Sequence, residues 1–599
     1  MKKPLATLLI VLAALASYAP AVRDGFVWDD TALILRDPLI RSWRLIPEGF
    51  NYFLFVDATA SDFYRPIQRL SYTLDYAVSG FAPATYHFTS ILVHAAAAVA
   101  LLFFAGELLL ALGIVPKKRP WIALLAAFTW AVHPVHTAAV AYISGRADPL
   151  AALFGFLGCY LLLRGLRTTP RRDLAWLVAA SFALLLSALS KETGLIFPVL
   201  AIALFALLKN RSAVWKTIAV TAFVAAAYFS LRLAAAHNPA PVLHTPPPLA
   251  TRPIAMARAV AEYAGLTLFP INLRMERQIN AERSDRSDVT MNRFAWRELQ
   301  TLLGIAIVAA LVYWMVRARR RDPAVFALLV LAALSYLPVS GIIGLNATVA
   351  EHWIYIPTAF LFLAAAVAFS NLPSHLERPA LRPVSVALAC WLAFLGARTC
   401  LRTFDWKDQR TFLQTTISDG GDSARMLINL GGLELSEGKL DLAKNHLKAA
   451  LAKEPDQPMA VINLAIVALK QNDFKTARQL ALRATKMPVV DAQAYELLAV
   501  IEGKENGRAD LLRLRLAART GPSNWAIEKR YVQLMDETGA TPAAITELQT
   551  CLQTEWYRAE SWQLLGKLLT KIGREKEAAM ARAQAAAYDV HLAQDSKVL

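Results

Sequence analysis

The feature that most constrains this chain is a succession of long apolar runs spread over residues 1 to 402. About 20 apolar residues in a helix cross a bilayer core. Hydrocarbon offers no water to backbone N–H and C=O groups, so such runs must close their hydrogen bonds internally as helices. Candidate spans lie near 4–21, 88–115, 121–140, 148–163, 174–190, 194–208, 213–236, 299–316, 323–342, 353–371 and 384–401. The expected fold is all-α, a polytopic membrane bundle of about eleven spans occupying 1–402. The opening MKKPLATLLIVLAALASYAP has the layout of a signal peptide. Pro20 follows the small residue Ala19, which disfavours cleavage there, and the topology needs this segment, so it is read as an uncleaved first span.

Of the 599 residues, 56% are hydrophobic and the formal charge is +17. That charge does not describe a nucleic-acid stripe, because much of it sits in short loops between apolar runs. Lys2 and Lys3, Lys117 to Arg119, Arg164, Arg167, Arg171 and Arg172, Lys209, Arg211 and Lys216, Arg317 to Arg321, and Arg378 and Arg382 fall in alternate loops. The short loops between them, 141–147, 190–193 and 343–352, carry only Arg146 and Lys191. The asymmetry puts the N-terminus inside and, after eleven crossings, the C-terminal domain on the extracytoplasmic side, periplasmic or lumenal. Two outer loops are long, 22–87 and 237–298. The apolar stretch 254–270 in the second carries Arg258 and Glu262, and is read as an interfacial or re-entrant helix. Cys159, Cys390, Cys400 and Cys551 form no metal-binding or disulfide pattern.

Beyond a linker at 403–423 the chain has a 34-residue period. Asn429-Leu430 recurs as Asn463-Leu464, Gly438 as Asn472, Leu440 as Phe474, Ala443 as Ala477 and Ala450 as Ala484. A later copy has Trp562, Leu565, Gly566, Gly573, Ala578 and Ala585, with degenerate copies over about 491–555. This is tetratricopeptide spacing, in which small residues let paired helices approach and neighbouring repeats bury the remaining apolar face. Four or five repeats are expected over 424–590, with a tail at 591–599. Such arrays hold peptides or protein partners in a concave groove; a structural cap on the membrane domain is the alternative.

A few residues carry chemistry. Asp29 and Asp30, in FVWDDTALI, follow the first span. Paired carboxylates there can take a proton from a nucleophile or hold a cation; the simpler reading is a helix N-cap for the segment beginning at Thr31. Arg65 lies in SDFYRPIQRLSY, Arg146 and Asp148 in YISGRADPL, and Lys191 in SKETGL. Cations at an outer membrane edge suit a phosphate at headgroup depth. Snorkelling, with Arg146 paired to Asp148 and Lys191 to Glu192, is the plainer account. His133 and His136 form HPVH without a third ligand at metal spacing, so no metal site is read, and hydrogen bonding is expected of them. Glu351 and His352, in AEHWIYIP, begin the tenth span from outside.

Taken together, FVWDD, YRP about 35 residues later, HPVHTAAVAYISGRADPLAALF, SKETGL and EHWIYIP, followed by tetratricopeptide repeats, resemble the TMTC-type O-mannosyltransferases. They resemble more distantly the protein O-mannosyltransferases of the GT-C superfamily. The resemblance implies a GT-C type bundle that transfers a sugar, a hexose such as mannose, from a polyprenyl phosphate to an acceptor hydroxyl, Ser or Thr of protein. The transfer inverts the anomeric centre and needs no cofactor or metal. By the same resemblance Asp29 is the general base and Asp30 positions the acceptor. Arg65, Arg146 and Lys191 meet the donor phosphate, and Tyr64, His133, His136, Asp148, Glu351 and His352 add supporting polar groups. The chain departs from the animal proteins in its fewer, degraded repeats. It also has Asp30 where protein O-mannosyltransferases have glutamate, which leaves sugar and acceptor open.

Two other readings stand beside this one. A transferase of the same fold acting on a cell-surface glycan or lipid differs only in acceptor. A non-enzymatic scaffold would tolerate Asp29→Asn. A transporter fits less well, since the ionisable residues gather at one face and the membrane half has no internal repeat.

Overall fold

The computed structural model describes residues 3–56, 63–165, 170–235, 251–277, 279, 291–345, 347–371, 378–507, 510–520 and 524–595. Lys2 and Arg167 lie outside these, as do the side chains of Arg171, Arg172, Arg378 and Arg382. The chain divides into two compact units. One is Met1–Phe26, Pro83–Leu233 and His244–Asp408; the other is chiefly Val27–Ala82 with Gln409–Leu599. Residues 27–82, the greater part of the first long loop, thus fold with the C-terminal repeats.

The first unit is a bundle of apolar helices, and the chain is an integral membrane protein. All eleven expected segments are helical, but among the described residues only eight are both long and apolar enough to cross a bilayer by themselves. A ninth, Arg119–Ala131 with Pro134–Val140, is bent by 52°. Pro134 removes a backbone donor there, and the chain resumes as a short 3-10 turn, Pro134–His136. The remaining two are the shorter helices Glu192–Leu207 and Pro323–Val339. Burial separates centre from periphery: 72% of the window in Ile143–Gly165 is buried, against 17% in Trp296–Arg321 and 11% in Pro383–Trp406. A helix that exposes apolar residues on most of its surface needs lipid as solvent.

The stretch expected to lie at the interface is the helix Arg252–Leu268, packed along Met291–Arg321. Its Arg258 reaches Glu298 at 3.0 Å and Thr301 at 2.8 Å, and Glu262 accepts from Gln300 at 3.0 Å. Both charges that argued against a simple span are therefore met by the neighbouring helix. A two-residue antiparallel pairing, Glu276–Arg277 with Val349–Ala350, ties this region to the start of the helix Tyr355–Ser370.

The second unit contains the repeats as five helix pairs: Ala424–Ser436 with Leu440–Lys453, Pro458–Lys470 with Phe474–Ala484, Asp491–Asn506 with Leu511–Arg519, Trp525–Glu537 with Thr541–Thr554, and Ala559–Lys571 with Glu575–Tyr588. The turn inside each pair holds a residue at positive φ: Gly438 (77°), Asn472 (62°), Gly507 (68°), Gly539 (86°) and Gly573 (75°). Glycine enters this region without steric cost, and asparagine tolerates it better than most residues. Ala443, Ala477, Ala544 and Ala578 are fully buried at the helix contacts. Ahead of the array, part of the stretch expected as linker is the helix Gln409–Ser418, which packs on Ala424–Ser436.

Candidate active site

In the second unit the acidic pair sits on a turn with unusual backbone. Trp28 has φ 50°, a conformation a bulky residue adopts only when its surroundings hold it there. Its N–H donates to the Gln409 side chain, its ring packs on Phe412 at 5.6 Å, and the Arg425 guanidinium lies 5.0 Å above it. Asp29 follows, half-buried, its backbone C=O accepting from Ala32 (3.0 Å) and Leu33 (2.9 Å). Asp30 is fully buried. Its carboxylate reaches back to accept the Val27 N–H at 3.0 Å, rather than forward to cap the segment Thr31–Leu35. The capping reading thus gives way to a turn closed from behind, with Asp30 turned inward and Asp29 nearer solvent.

Tyr64 is fully buried and donates to the Phe50 carbonyl at 2.9 Å. Arg65, half-buried, lies 4.3 Å from the centre of the Phe63 ring and begins the helix Pro66–Ser79. One turn on, Arg69 holds this segment together. It donates to Asp37 (2.9 Å) and to the carbonyls of Gly49 (2.8 Å), Tyr52 (3.0 Å), Phe53 (2.6 Å) and Leu54 (2.8 Å). Trp28 and Arg69 lie in the quoted motifs FVWDD and SDFYRPIQRLSY but, like Asp37, have structural rather than chemical partners, which a sequence does not display.

In the first unit Arg146 is fully buried, donating to Ser90 Oγ at 3.0 Å and to the Tyr86 carbonyl at 2.6 Å. The glycine before it has a physical reason: a Cβ on Gly145 would lie 2.3 Å from the Ala138 carbonyl oxygen. Lys191 pairs with Asp148, at 2.6 and 2.7 Å to its two oxygens, with both residues buried. The snorkelling alternative pairs Asp148 with Arg146 and Glu192 with Lys191; the Lys191–Asp148 contact is one that neither sequence reading contains. Gly194 repeats the close approach, since a Cβ there would lie 2.3 Å from the Ser187 carbonyl oxygen.

His133 and His136 are buried, with both ring nitrogens of each engaged. His133 accepts from the Val135 N–H (3.2 Å) and meets the Thr267 carbonyl (3.0 Å); His136 meets the Trp130 carbonyl (2.8 Å) and Thr358 Oγ1 (3.0 Å). They connect helices, as the hydrogen-bonding reading expected. Glu351 is fully buried near Arg277 (3.9 Å) and Arg402 (3.6 Å), and half-buried His352 lies beside Trp353.

One carboxyl in this unit escaped the sequence reading. Asp24 is buried, and burial together with the nearby Asp408 carboxylate raises its pKa to about 7, against the counter-effect of Lys407. Its Oδ2 accepts no hydrogen bond among the described residues. The structure thus brings together Lys191 with Asp148, and Glu351 with two arginines, while Asp29, Asp30, Tyr64 and Arg65 belong to the other unit.

The tetratricopeptide repeat family model matches residues 434–501. The chain is 24% identical over 457 residues to the Caenorhabditis elegans protein O-mannosyl-transferase F38B6.6, covering 74% of this chain and 62% of that one. It is 23% identical over 498 residues to the Mus musculus protein O-mannosyl-transferase TMTC3, covering 76% and 52%. It is 31% identical over 202 residues to Mus musculus TMTC1, covering 32% and 21%. The chain spans less than two thirds of the length of each of these relatives. Among solved structures, ArnT from Cupriavidus metallidurans bound to undecaprenyl phosphate aligns over 80% of both chains at 13% identity, with a TM-score of 0.35. The chain is therefore a repeat-bearing membrane homologue of proteins named protein O-mannosyl-transferases.

Proposed function

We propose that this protein is a glycosyltransferase. It moves a hexose such as mannose from a polyprenyl phosphate to a serine or threonine hydroxyl of a protein, at the extracytoplasmic membrane face. The observation that carries the proposal is the turn at Trp28, Asp29 and Asp30. A strained, externally held backbone presents one half-buried carboxylate while its neighbour is spent on closing the turn. Backbone strain persists where surrounding structure over-determines it, and such places cluster at functional sites. The name borne by the similar proteins, protein O-mannosyl-transferase, supports the reaction class.

In the mechanism, the acceptor oxygen attacks the anomeric carbon as Asp29 takes the hydroxyl proton. The bond from that carbon to the phosphate oxygen breaks, and the lipid phosphate departs with the electron pair. A single displacement inverts the centre. Arg65, Arg146 and Lys191 are assigned to the charge that grows on the leaving phosphate, which preorganised cations stabilise. Asp30 sets the turn. The N-terminus on the cytoplasmic side and the repeats on the acceptor side are parts of the same proposal.

The test is transfer of labelled sugar from native lipid extract to protein in membranes holding wild-type chain, Asp29→Asn or neither. Label entering protein only with wild type supports the reading. Label entering glycan or lipid changes the acceptor class, and wild-type transfer by Asp29→Asn removes Asp29 as base.

A further inference from the structure

A solenoid of helical repeats leaves an apolar face open at each end, and terminal repeats need a cover. Here the segment 27–82 makes contacts near both ends of the array. At the first end, Trp28 lies on Phe412 and beneath Arg425, the former in the helix before the first repeat and the latter within it. At the last repeat, Leu39 and Leu45 form a buried cluster with Tyr557, and Tyr52 packs on the same tyrosine at 5.4 Å.

The second contact is polar as well as apolar. Arg41 reaches Glu560 at 2.6 Å and lies 3.8 Å from Asp589. Tyr76 donates to Asp589 Oδ1 at 2.9 Å, and the same oxygen accepts the His591 N–H at 3.0 Å. The His591 ring meets the Tyr76 carbonyl at 2.7 Å, and the Val590 N–H donates to the Arg41 carbonyl at 3.0 Å. Arg41, Tyr76 and Asp589 are all buried. Burying an arginine and an aspartate is costly unless each is met by hydrogen bonds and opposite charge, so this contact is a built one.

We propose that the repeat array is the positioning scaffold of the acid-bearing segment, held at the last repeat by Arg41 and Tyr76 as positioning residues and at the first by Trp28. The array then does more than recruit a partner: the turn carrying Asp29 takes its shape from residues in the helix before the first repeat and in that repeat. Release of the segment at either end frees the turn. The activity arm of this inference rests on Asp29 as base; the docking arm stands without it.

The experiment is hydrogen exchange on the full-length chain in detergent, alongside sugar transfer, for wild type, Arg41→Glu, Arg41→Glu with Glu560→Arg, and Tyr76→Phe. Arg41→Glu is expected to speed exchange over 27–55 at least tenfold while the repeat helices between 424 and 554 keep their protection. Its transfer kcat is expected to fall with the KM for donor unchanged, and the charge exchange to recover part of both. Unchanged exchange over 27–55 overturns the proposal. If Arg41→Glu unfolds the repeats, Tyr76→Phe decides, since it removes one hydroxyl: faster exchange over 27–55 supports docking, and no change overturns it. Absence of transfer in wild type overturns the role of Asp29 and leaves the docking to the exchange result.

Discussion

Arg69 allows a quantitative test of how the first long loop is held. A guanidinium has five N–H donors. Here all five are used, one on the Asp37 carboxylate and four on the carbonyls of Gly49, Tyr52, Phe53 and Leu54, at 2.6 to 3.0 Å. Both members of the ion pair are essentially inaccessible, with side-chain exposures of 2% and 1%. Arg69→Ala leaves a buried carboxylate without its cation, and breaking one side of a buried pair costs roughly 3–5 kcal/mol. Each orphaned carbonyl adds to this unless water enters, so about 4 kcal/mol is a conservative figure. At about 1.4 kcal/mol per decade, local opening becomes roughly a thousandfold more frequent. Where closing outpaces exchange, the amide exchange rate follows that opening equilibrium. The assay is exchange over residues 37–55 in the detergent-solubilised full chain. Arg69→Ala should approach a thousandfold acceleration. Arg69→Lys, with three donors and no planar fork, should fall between it and wild type. Acceleration below tenfold for Arg69→Ala, or a lysine variant equal to wild type, would refute the account of this loop as arginine-centred.

The Lys191–Asp148 pair makes a second prediction: Lys191→Met should lower the thermal midpoint by taking from a buried carboxylate the cation that chelates it, and Lys191→Met with Asp148→Leu should recover most of the loss. A double variant no more stable than the single one removes the pair from the stability account, and a stable double variant that no longer transfers sugar favours a phosphate role for Lys191. Asp24 makes a prediction about pH. Its folded-state pKa of about 7 lies above the unfolded carboxylate value near 3.9, so the folded protein holds the extra proton between these values and stability falls as pH rises through that window. Asp24→Asn should flatten that slope and raise the thermal midpoint at pH 8, and a midpoint at pH 8 no higher than wild type would contradict it.

Much of the architecture was legible because its causes are periodic. Apolar runs located eleven helical segments, eight of them long and apolar enough to cross a bilayer among the described residues, and the equivalence of Gly438 with Asn472 is seen in the turn, since both occupy the left-handed region that ends the first helix of a repeat. The degenerate middle copies were blurred in side-chain pattern, yet Gly507 and Gly539 mark their turns as plainly. Shortfalls arose where contacts are distant in sequence. Asp148 is chelated by Lys191, 43 residues on in the chain, a contact that no local spacing points to. The loop 22–87 was read with the membrane domain because it lies between two spans; most of it joins the repeats through Arg41, Tyr76 and Trp28, which no local pattern distinguishes.

These contacts bear on how the cations of the membrane unit can serve a phosphate. Lys191 is held by both oxygens of Asp148, so a phosphate must compete with a chelating carboxylate already in place. If Lys191 serves the donor, the KM for donor should therefore depend on how firmly Asp148 holds the lysine. Asp148→Asn, which keeps the side-chain shape and removes the competing charge, should lower that KM, whereas Lys191→Met should raise it. An unchanged KM in Asp148→Asn would mean that the carboxylate does not compete with the donor phosphate, which removes Lys191 from the phosphate site.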